Sequence, residues 1–137
     1  MEVIIIVGIA GSGKTTVCKK LFPHHKHISL DEIRKHNRRK EYKLIEQNLQ
    51  QGNSIVIDDT NLTRHIRSGH IIRVKNYNPR IVAVFLDYSI QRIQMQNSKR
   101  ERQLPDHVLF RMKKQLEPPS YDEGFDYIQT LNDNFSF

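Results

Sequence analysis

The chain has 137 residues, 37% of them hydrophobic, and a formal net charge of +7. That length is about one domain, expected to cover residues 1–137, and is enough to bury an independent core. No apolar run is long enough to cross a bilayer, and the single cysteine, Cys18, excludes an internal disulfide, so an intracellular, cytoplasmic protein without a membrane partner is expected.

Val3 to Val7 reads VIIIV, a continuous β-branched run of the kind that fills a buried parallel strand, and the first strand is placed at Glu2–Val7. The apolar stretch to Ala10 lacks the basic flank and cleavage site of a signal peptide. Gly8 to Thr15 then reads GIAGSGKT, which matches the phosphate-binding loop pattern G-x-x-x-x-G-K-[ST]. Its glycines let successive backbone N–H groups turn inward around phosphate oxygens. Gly8, Gly11, Ser12, Gly13, Lys14, Thr15 and Thr16 are therefore the expected nucleotide-binding residues. Lys14 places positive charge on the β/γ-phosphates of ATP, and the Thr15 hydroxyl is suited to Mg²⁺. A helix follows to Phe22, and its N-terminal N–H groups add to the anion site.

His27–Leu30 is a short second strand, and Glu32 to about Gln51 a polar helix with Gly52 as a C-cap. Ser54–Asp58 is the third strand, Thr63 to about Tyr77 the next helix, and Arg80–Leu86 the fourth strand. Ile90–Asn97 and Asp106–Leu116 are helices around a basic linker, and Phe125–Leu131 is the fifth strand. Strands alternating with helices predict an α/β fold, a parallel β-sheet flanked by helices on both faces. Ligands of such sheets bind beyond the carboxyl ends of the strands. The polar residues following the strands are the phosphate loop, Asp31 to Arg34, Asp58 to Asn61, and Asp87.

Phosphoryl transfer needs positioning, charge neutralisation and a group to take the nucleophile's proton. Asp31, at the end of the second strand, is the expected base, with an N-cap as its alternative role. Arg34 lies one helical turn further on and is expected to hold an acceptor phosphate. Asp58 and Asp59 end an apolar strand, the setting of an acidic residue that serves Mg²⁺. Neighbouring strand residues face opposite sides, so one of the pair is expected to serve the metal and the other to cap a turn. Thr15 and Asp58 are the expected Mg²⁺ residues. The segment Arg92 to Arg102 carries Arg92, Lys99, Arg100 and Arg102 and is expected to form a basic lid over ATP.

The charge is uneven. Gln115 to Phe137 contains five acids and no Lys or Arg, so the first 114 residues carry 22 bases against 10 acids. A basic body suits a polyanionic partner such as nucleic acid. Arg34, Lys35, Arg38, Arg39, Lys40 and Lys43 crowd one helix around a single acid, Glu41, a pattern that suits a phosphate backbone and equally a solvated face. His24, His25 and His27 have no Cys or acid at ligand spacing and are read as a surface turn. Cys18 is read as packing.

With these residues assembled, the chain resembles the kinase domain of polynucleotide 5′-hydroxyl kinases, which include the bacteriophage end-healing enzyme, bacterial RNA-repair kinases and the kinase half of the animal DNA-repair kinase-phosphatase. The resemblance runs from Val3 to about Phe125. It rests on the phosphate loop, Asp31-x-x-Arg34, Asp59-Thr60-Asn61-Leu62, Asn97-Ser98-Lys99-Arg100 with Leu104-Pro105, and the segment Arg111–Phe125. It implies ATP-dependent transfer of a γ-phosphate to the 5′-hydroxyl of DNA or RNA, with Mg²⁺. It makes Asp31 the base, Arg34 the ligand of the acceptor's 3′-phosphate, Asp59 and Asn61 organisers of the acceptor and phosphate site, and Arg100 a lid arginine on the ATP phosphates. Arg38, on the basic helix, joins the acceptor-binding set. One position departs from the family: an arginine usually precedes the lid Asn, and here it is Gln96. Arg92 or Arg102 is the candidate replacement. The D-x-D-x-T motif of the related phosphatase domain does not occur, so a phosphatase or ligase step is expected to fall to a separate protein.

Two other readings compete. One is a kinase of a small-molecule or tRNA-linked hydroxyl on the same fold. The other is a non-catalytic, ATP-switched nucleic-acid-binding module. Asp31 and a lid arginine speak against the switch, which needs no acceptor base.

Overall fold

The structure is a computed structural model that describes residues 1–137. Five strands form one sheet: β1 (Glu2–Val7), β2 (Lys26–Ile28), β3 (Ile55–Ile57), β4 (Arg80–Leu86) and β5 (Tyr127–Leu131). Their order is β2-β3-β1-β4-β5, and every pairing is parallel. Five α-helices connect them: α1 (Lys14–Leu21), α2 (Arg38–Gln50), α3 (Arg64–Val74), α4 (Ile90–Ser98) and α5 (Asp106–Gln115). The α/β architecture expected from the alternating pattern is present. No helix is long and apolar enough to cross a membrane.

β1 shows why the sheet is covered on both faces. Successive side chains of a strand point to opposite sides, so an uninterrupted apolar strand needs two cores. Val3, Ile5 and Val7 face one core, built with Ile45 and Leu49 of α2 and Ile71 and Val74 of α3. Ile4 and Ile6 face the other, built with Val17 and Cys18 of α1, Ile93 of α4 and Leu109 of α5. Cys18 is packing, as expected, and burial pushes its thiol up. β1 pairs with β3 on one side and β4 on the other, with Val3 opposite both Ile55 and Ile81. The chain therefore leaves β1 at a point where neighbouring connections run in opposite directions, and that crevice holds the phosphate loop.

Local chemistry sets the element ends. Thr63 caps α3, its Oγ1 accepting from Ile66 N at 3.2 Å. Ser89 caps α4 through Arg92 N, also at 3.2 Å. The largest departure from expectation is the helix drawn from Glu32. Residues 30–36 instead form two 3-10 turns, Leu30–Glu32 and Arg34–His36, and α2 begins only at Arg38. Asn37 starts it, with Oδ1 accepting from Lys40 N at 3.2 Å. Lys35 and His36 hold φ of 63° and 47°, left-handed values that no α-helix can contain. Asp31 and Arg34 thus do not share one turn of an α-helix.

The acidic C-terminal stretch packs back on α3. Arg67, fully buried, donates from Nε and Nη2 to both oxygens of Glu123, at 2.8 and 3.0 Å. Its Nη1 donates to the carbonyl of Asn61 at 2.9 Å, joining this stretch to the turn after β3.

Candidate active site

A cleft of about 590 Å³ opens at the carboxyl end of β1. It is lined by the phosphate loop, Asp31, Asp58, Arg92 and Gln96 of α4, and Lys99 and Arg100 just past its end. Four loops from different parts of the chain meet there because a parallel sheet directs every strand's carboxyl end the same way.

The phosphate loop is held open by its backbone. Gly11 and Gly13 take φ of 82° and 87°, and a Cβ at Gly11 would stand 3.2 Å from Asn97 Oδ1. Gly8 N donates to Thr60 O at 3.0 Å, fixing the loop to the turn after β3. Lys14 Nζ donates to the Ile9 carbonyl at 3.2 Å. Burial pushes its ammonium down, and the carboxylates of Asp58, Asp31 and Asp59 oppose that shift. An anion in the cleft would relieve the same penalty.

The sequence left the metal residue open between Asp58 and Asp59, and the structure separates them. Thr15 Oγ1 donates to Asp58 Oδ2 at 2.7 Å. Together they present a hydroxyl and a carboxylate at the phosphate loop, hard oxygen donors of the sort Mg²⁺ takes while keeping most of its waters. Asp59 turns the other way. Its Oδ1 accepts from Leu30 N at 2.7 Å and its Oδ2 from Arg38 Nη1 at 3.1 Å. Asn61 is fully buried and donates from Nδ2 to Ile6 O at 2.7 Å. Asp59 and Asn61, which the resemblance makes organisers of the acceptor and phosphate site, both bond inward and frame the site from beneath.

Asp31 lines the cleft with a side chain 87% exposed. It caps no helix, since Asn37 caps α2 and Asp31 lies inside a 3-10 turn. Its nearest partner is His36, 3.6 Å away. Arg34 is exposed and does not line the cleft. Arg38 is fastened inward through Asp59 and Glu41, so it does not lie free along a strand as expected. The outward-facing cations of this region are Arg34, Lys35, Arg39 and Lys40.

On the opposite wall, Asn97 fastens the basic segment after α4 back onto the helix. It donates to Leu104 O at 2.9 Å and accepts from Leu104 N at 3.0 Å. Arg100 is exposed and reaches the phosphate loop, its Nη1 lying 3.6 Å from where a Gly11 Cβ would be. Gln96 lies against Gly13, with Oε1 buried and unpartnered. Of the two candidates to replace the missing arginine, Arg92 lines the cleft and Arg102 does not. Arg92 stacks on Tyr88 at 3.9 Å and donates to the Asn132 and Asp133 carbonyls at 3.2 and 3.0 Å.

His27 is a correction. It lies half-buried on β2, and its Nε2 is 2.7 Å from the Asp58 oxygen that also receives Thr15. Cys18 and Asp58 both stand beside it, although neither is near it in sequence. Glu41 and His70, beneath Asp59, likewise escaped the sequence reading. The only signal for Glu41 was its place as the one acid in a basic run.

The family described as an AAA domain matches residues 3–119, well over half of the chain. Among solved structures, a gluconokinase from Sinorhizobium meliloti 1021 is 17% identical, covers 98% of this chain and 84% of its own, and superposes with a TM-score of 0.73. A fungal RNA kinase is 20% identical, with 99% and 78% coverage and a TM-score of 0.68. Kti12 from Chaetomium thermophilum, in complex with ADP-AlF3, is 15% identical, with 96% and 89% coverage and a TM-score of 0.66. At these identities the likeness is one of fold. The chain belongs to the AAA domain family and has the nucleotide-binding fold of P-loop kinases.

Proposed function

We propose that this protein transfers the γ-phosphate of ATP to the 5′-hydroxyl end of a DNA or RNA strand. The observation that carries this reading is the state of Asp31. It is an exposed carboxylate at the mouth of the phosphate cleft, with only the exposed His36 beside it, on a segment whose other exposed charges are mainly cationic. A nucleotide switch has no use for such a group there. A strand carrying phosphates suits its neighbours, Arg34, Lys35, Arg39 and Lys40, better than a neutral sugar does.

Lys14 and the loop N–H groups would hold the ATP phosphates, with Thr15 and Asp58 serving Mg²⁺. Bound Mg²⁺ would neutralise charge on the phosphates. Asp31 would take the proton of the attacking hydroxyl, and Arg34 would bind the phosphate on the 3′ side of the reacting nucleotide. Arg100 would face the transferring phosphoryl group from the lid, and closure of the lid would exclude water. In the test, labelled ATP is incubated with a 5′-hydroxyl oligonucleotide and either wild-type or Asp31→Asn protein. The amide keeps the size of the side chain but cannot accept a proton, so label transfer should fall by about 10²–10⁴ while ATP binding is retained. A fully active Asp31→Asn protein would remove the base from this scheme.

A further inference from the structure

Residues 30–38 join β2 to α2 and carry Asp31 and Arg34. Both ends of this segment are tied to one carboxylate. Asp59 Oδ1 holds the backbone N–H of Leu30, and Asp59 Oδ2 holds Arg38 at the first turn of α2. Between the ties, Lys35 and His36 sit at left-handed φ. Non-glycine residues stay there only where surrounding contacts impose the conformation.

Arg38 has a second partner. Its Nη1 donates to Glu41 Oε1 at 2.7 Å, and the Glu41 side chain is completely buried. His70, also fully buried, places Nε2 at 3.9 Å from both Glu41 Oε1 and Asp59 Oδ2, with its ring edge-on to Tyr42 at 5.6 Å. Glu41 Oε2 and both nitrogens of His70 have no hydrogen-bond partner. Buried groups of this kind are costly, and an apolar residue on this inward face of α2 would pack without the penalty. Glu41, Asp59 and His70 are also metal-ligating types, but the guanidinium of Arg38 already bonds both carboxylates and supplies the positive charge.

We propose that Glu41 is a positioning residue for the acceptor: by holding Arg38 against Asp59 it fastens both ends of segment 30–38 and so sets Asp31 at the mouth of the cleft. The role assigned to Glu41 rests on Asp31 acting as the base. Glu41 touches neither ATP nor the acceptor; it acts through Arg38 and Asp59.

Two measurements test this on the whole chain. The first is backbone amide exchange, which reads the segment without any substrate. In Glu41→Ala, peptides covering residues 30–38 should exchange about tenfold faster, while those covering residues 8–15 stay unchanged. Glu41→Gln should restore protection, because its amide oxygen can accept from Arg38 and its NH₂ group can donate to Asp59. Should Glu41→Ala fail to fold, Arg38→Gln cuts the same link from its partly exposed side and should loosen the same peptides. Unchanged exchange in the folded variant overturns the proposal. The second is steady-state transfer to a 5′-hydroxyl oligonucleotide. Glu41→Ala should lower kcat/KM for the acceptor by about tenfold per ATP-binding-competent molecule and leave the ATP KM within about twofold, whereas a merely structural defect lowers kcat only in proportion to the competent fraction. An unchanged acceptor kcat/KM per competent molecule, or no rescue by Glu41→Gln, also overturns it. If the wild type phosphorylates no nucleic acid, the functional reading has failed, and the exchange data still decide whether Glu41 fastens the segment.

Discussion

At the scale of single residues, the proposed reading divides the site into groups that would meet phosphate and groups that hold those in place. Lys14 belongs to the first. Its Nζ bonds only a loop carbonyl, so Lys14→Ala should abolish transfer while leaving the fold intact, as read by circular dichroism and turnover together. Arg100 and Gln96 allow a comparison across the cleft. Arg100→Ala removes a charge lining the cleft, whereas Gln96→Ala removes a neutral amide, so on the proposed reading only the former should slow transfer by about 10²-fold or more. Equal effects would show that the lid is set differently. Glu41 has a pH signature of its own. Burial, together with the neighbouring Asp59 carboxylate, pushes its carboxyl from an ordinary 4.5 up to about 8. The unfolded chain therefore releases this proton at a lower pH than the folded one. Stability is fullest below pH about 4.5 from this group and declines up to pH about 8. Glu41→Gln cannot ionise, so its melting temperature relative to wild type should rise across that interval. A constant difference would mean that Glu41 is already ionised in the fold. The contiguous phosphate loop was legible from the sequence because its eight residues act as neighbours. The contact between His27 and Asp58 was not, since 31 residues separate them and only the pairing of β2 with β3 brings them together.

At the scale of elements, strands were read well and the acceptor segment was not. β1 and β4 are long β-branched or apolar runs, and each lies within the expected bounds. The expected second helix swallowed residues 32–37, because a polar stretch with sparse apolar positions looks helical whether or not a cap interrupts it. Asn37 is that cap, and nothing local distinguishes it from the polar residues around it. The pair Arg67 and Glu123 is also an element-scale device, joining α3 to the segment after α5. Both side chains are buried, at 0% and 3% exposure. Truncating Arg67 leaves the buried Glu123 carboxylate with only the more distant, partly exposed Arg64, 3.7 Å away, as a cationic partner. Arg67→Ala should therefore cost about 3–5 kcal/mol of unfolding free energy in urea titrations. A loss below about 1 kcal/mol, the usual value of an exposed pair, would show that Glu123 finds water instead.

At the scale of the molecule, topology and charge act together. The order β2-β3-β1-β4-β5 delivers four polar segments to one edge, and the sequence allowed that gathering to be expected without saying which side chains would face inward. Asp59, Asn61 and Arg38 bond inward, and on the proposed reading the exposed cations beside Asp31 would meet the strand. Lengthening a 5′-hydroxyl oligonucleotide should then improve KM with a salt dependence whose log–log slope is about −0.7 per phosphate neutralised. Arg39→Ala and Lys40→Ala should each flatten that slope by one such step if they contact the backbone. The most direct measurement compares kcat/KM for a 5′-hydroxyl oligonucleotide with that for the matching bare nucleoside, under identical ATP and Mg²⁺. A polynucleotide kinase should favour the strand by about 10²-fold or more through contacts beyond the reacting hydroxyl, and the advantage should shrink as salt is raised. Nucleosides or sugars phosphorylated as efficiently as the strand, with no dependence on salt, would contradict it and make the protein a small-molecule kinase.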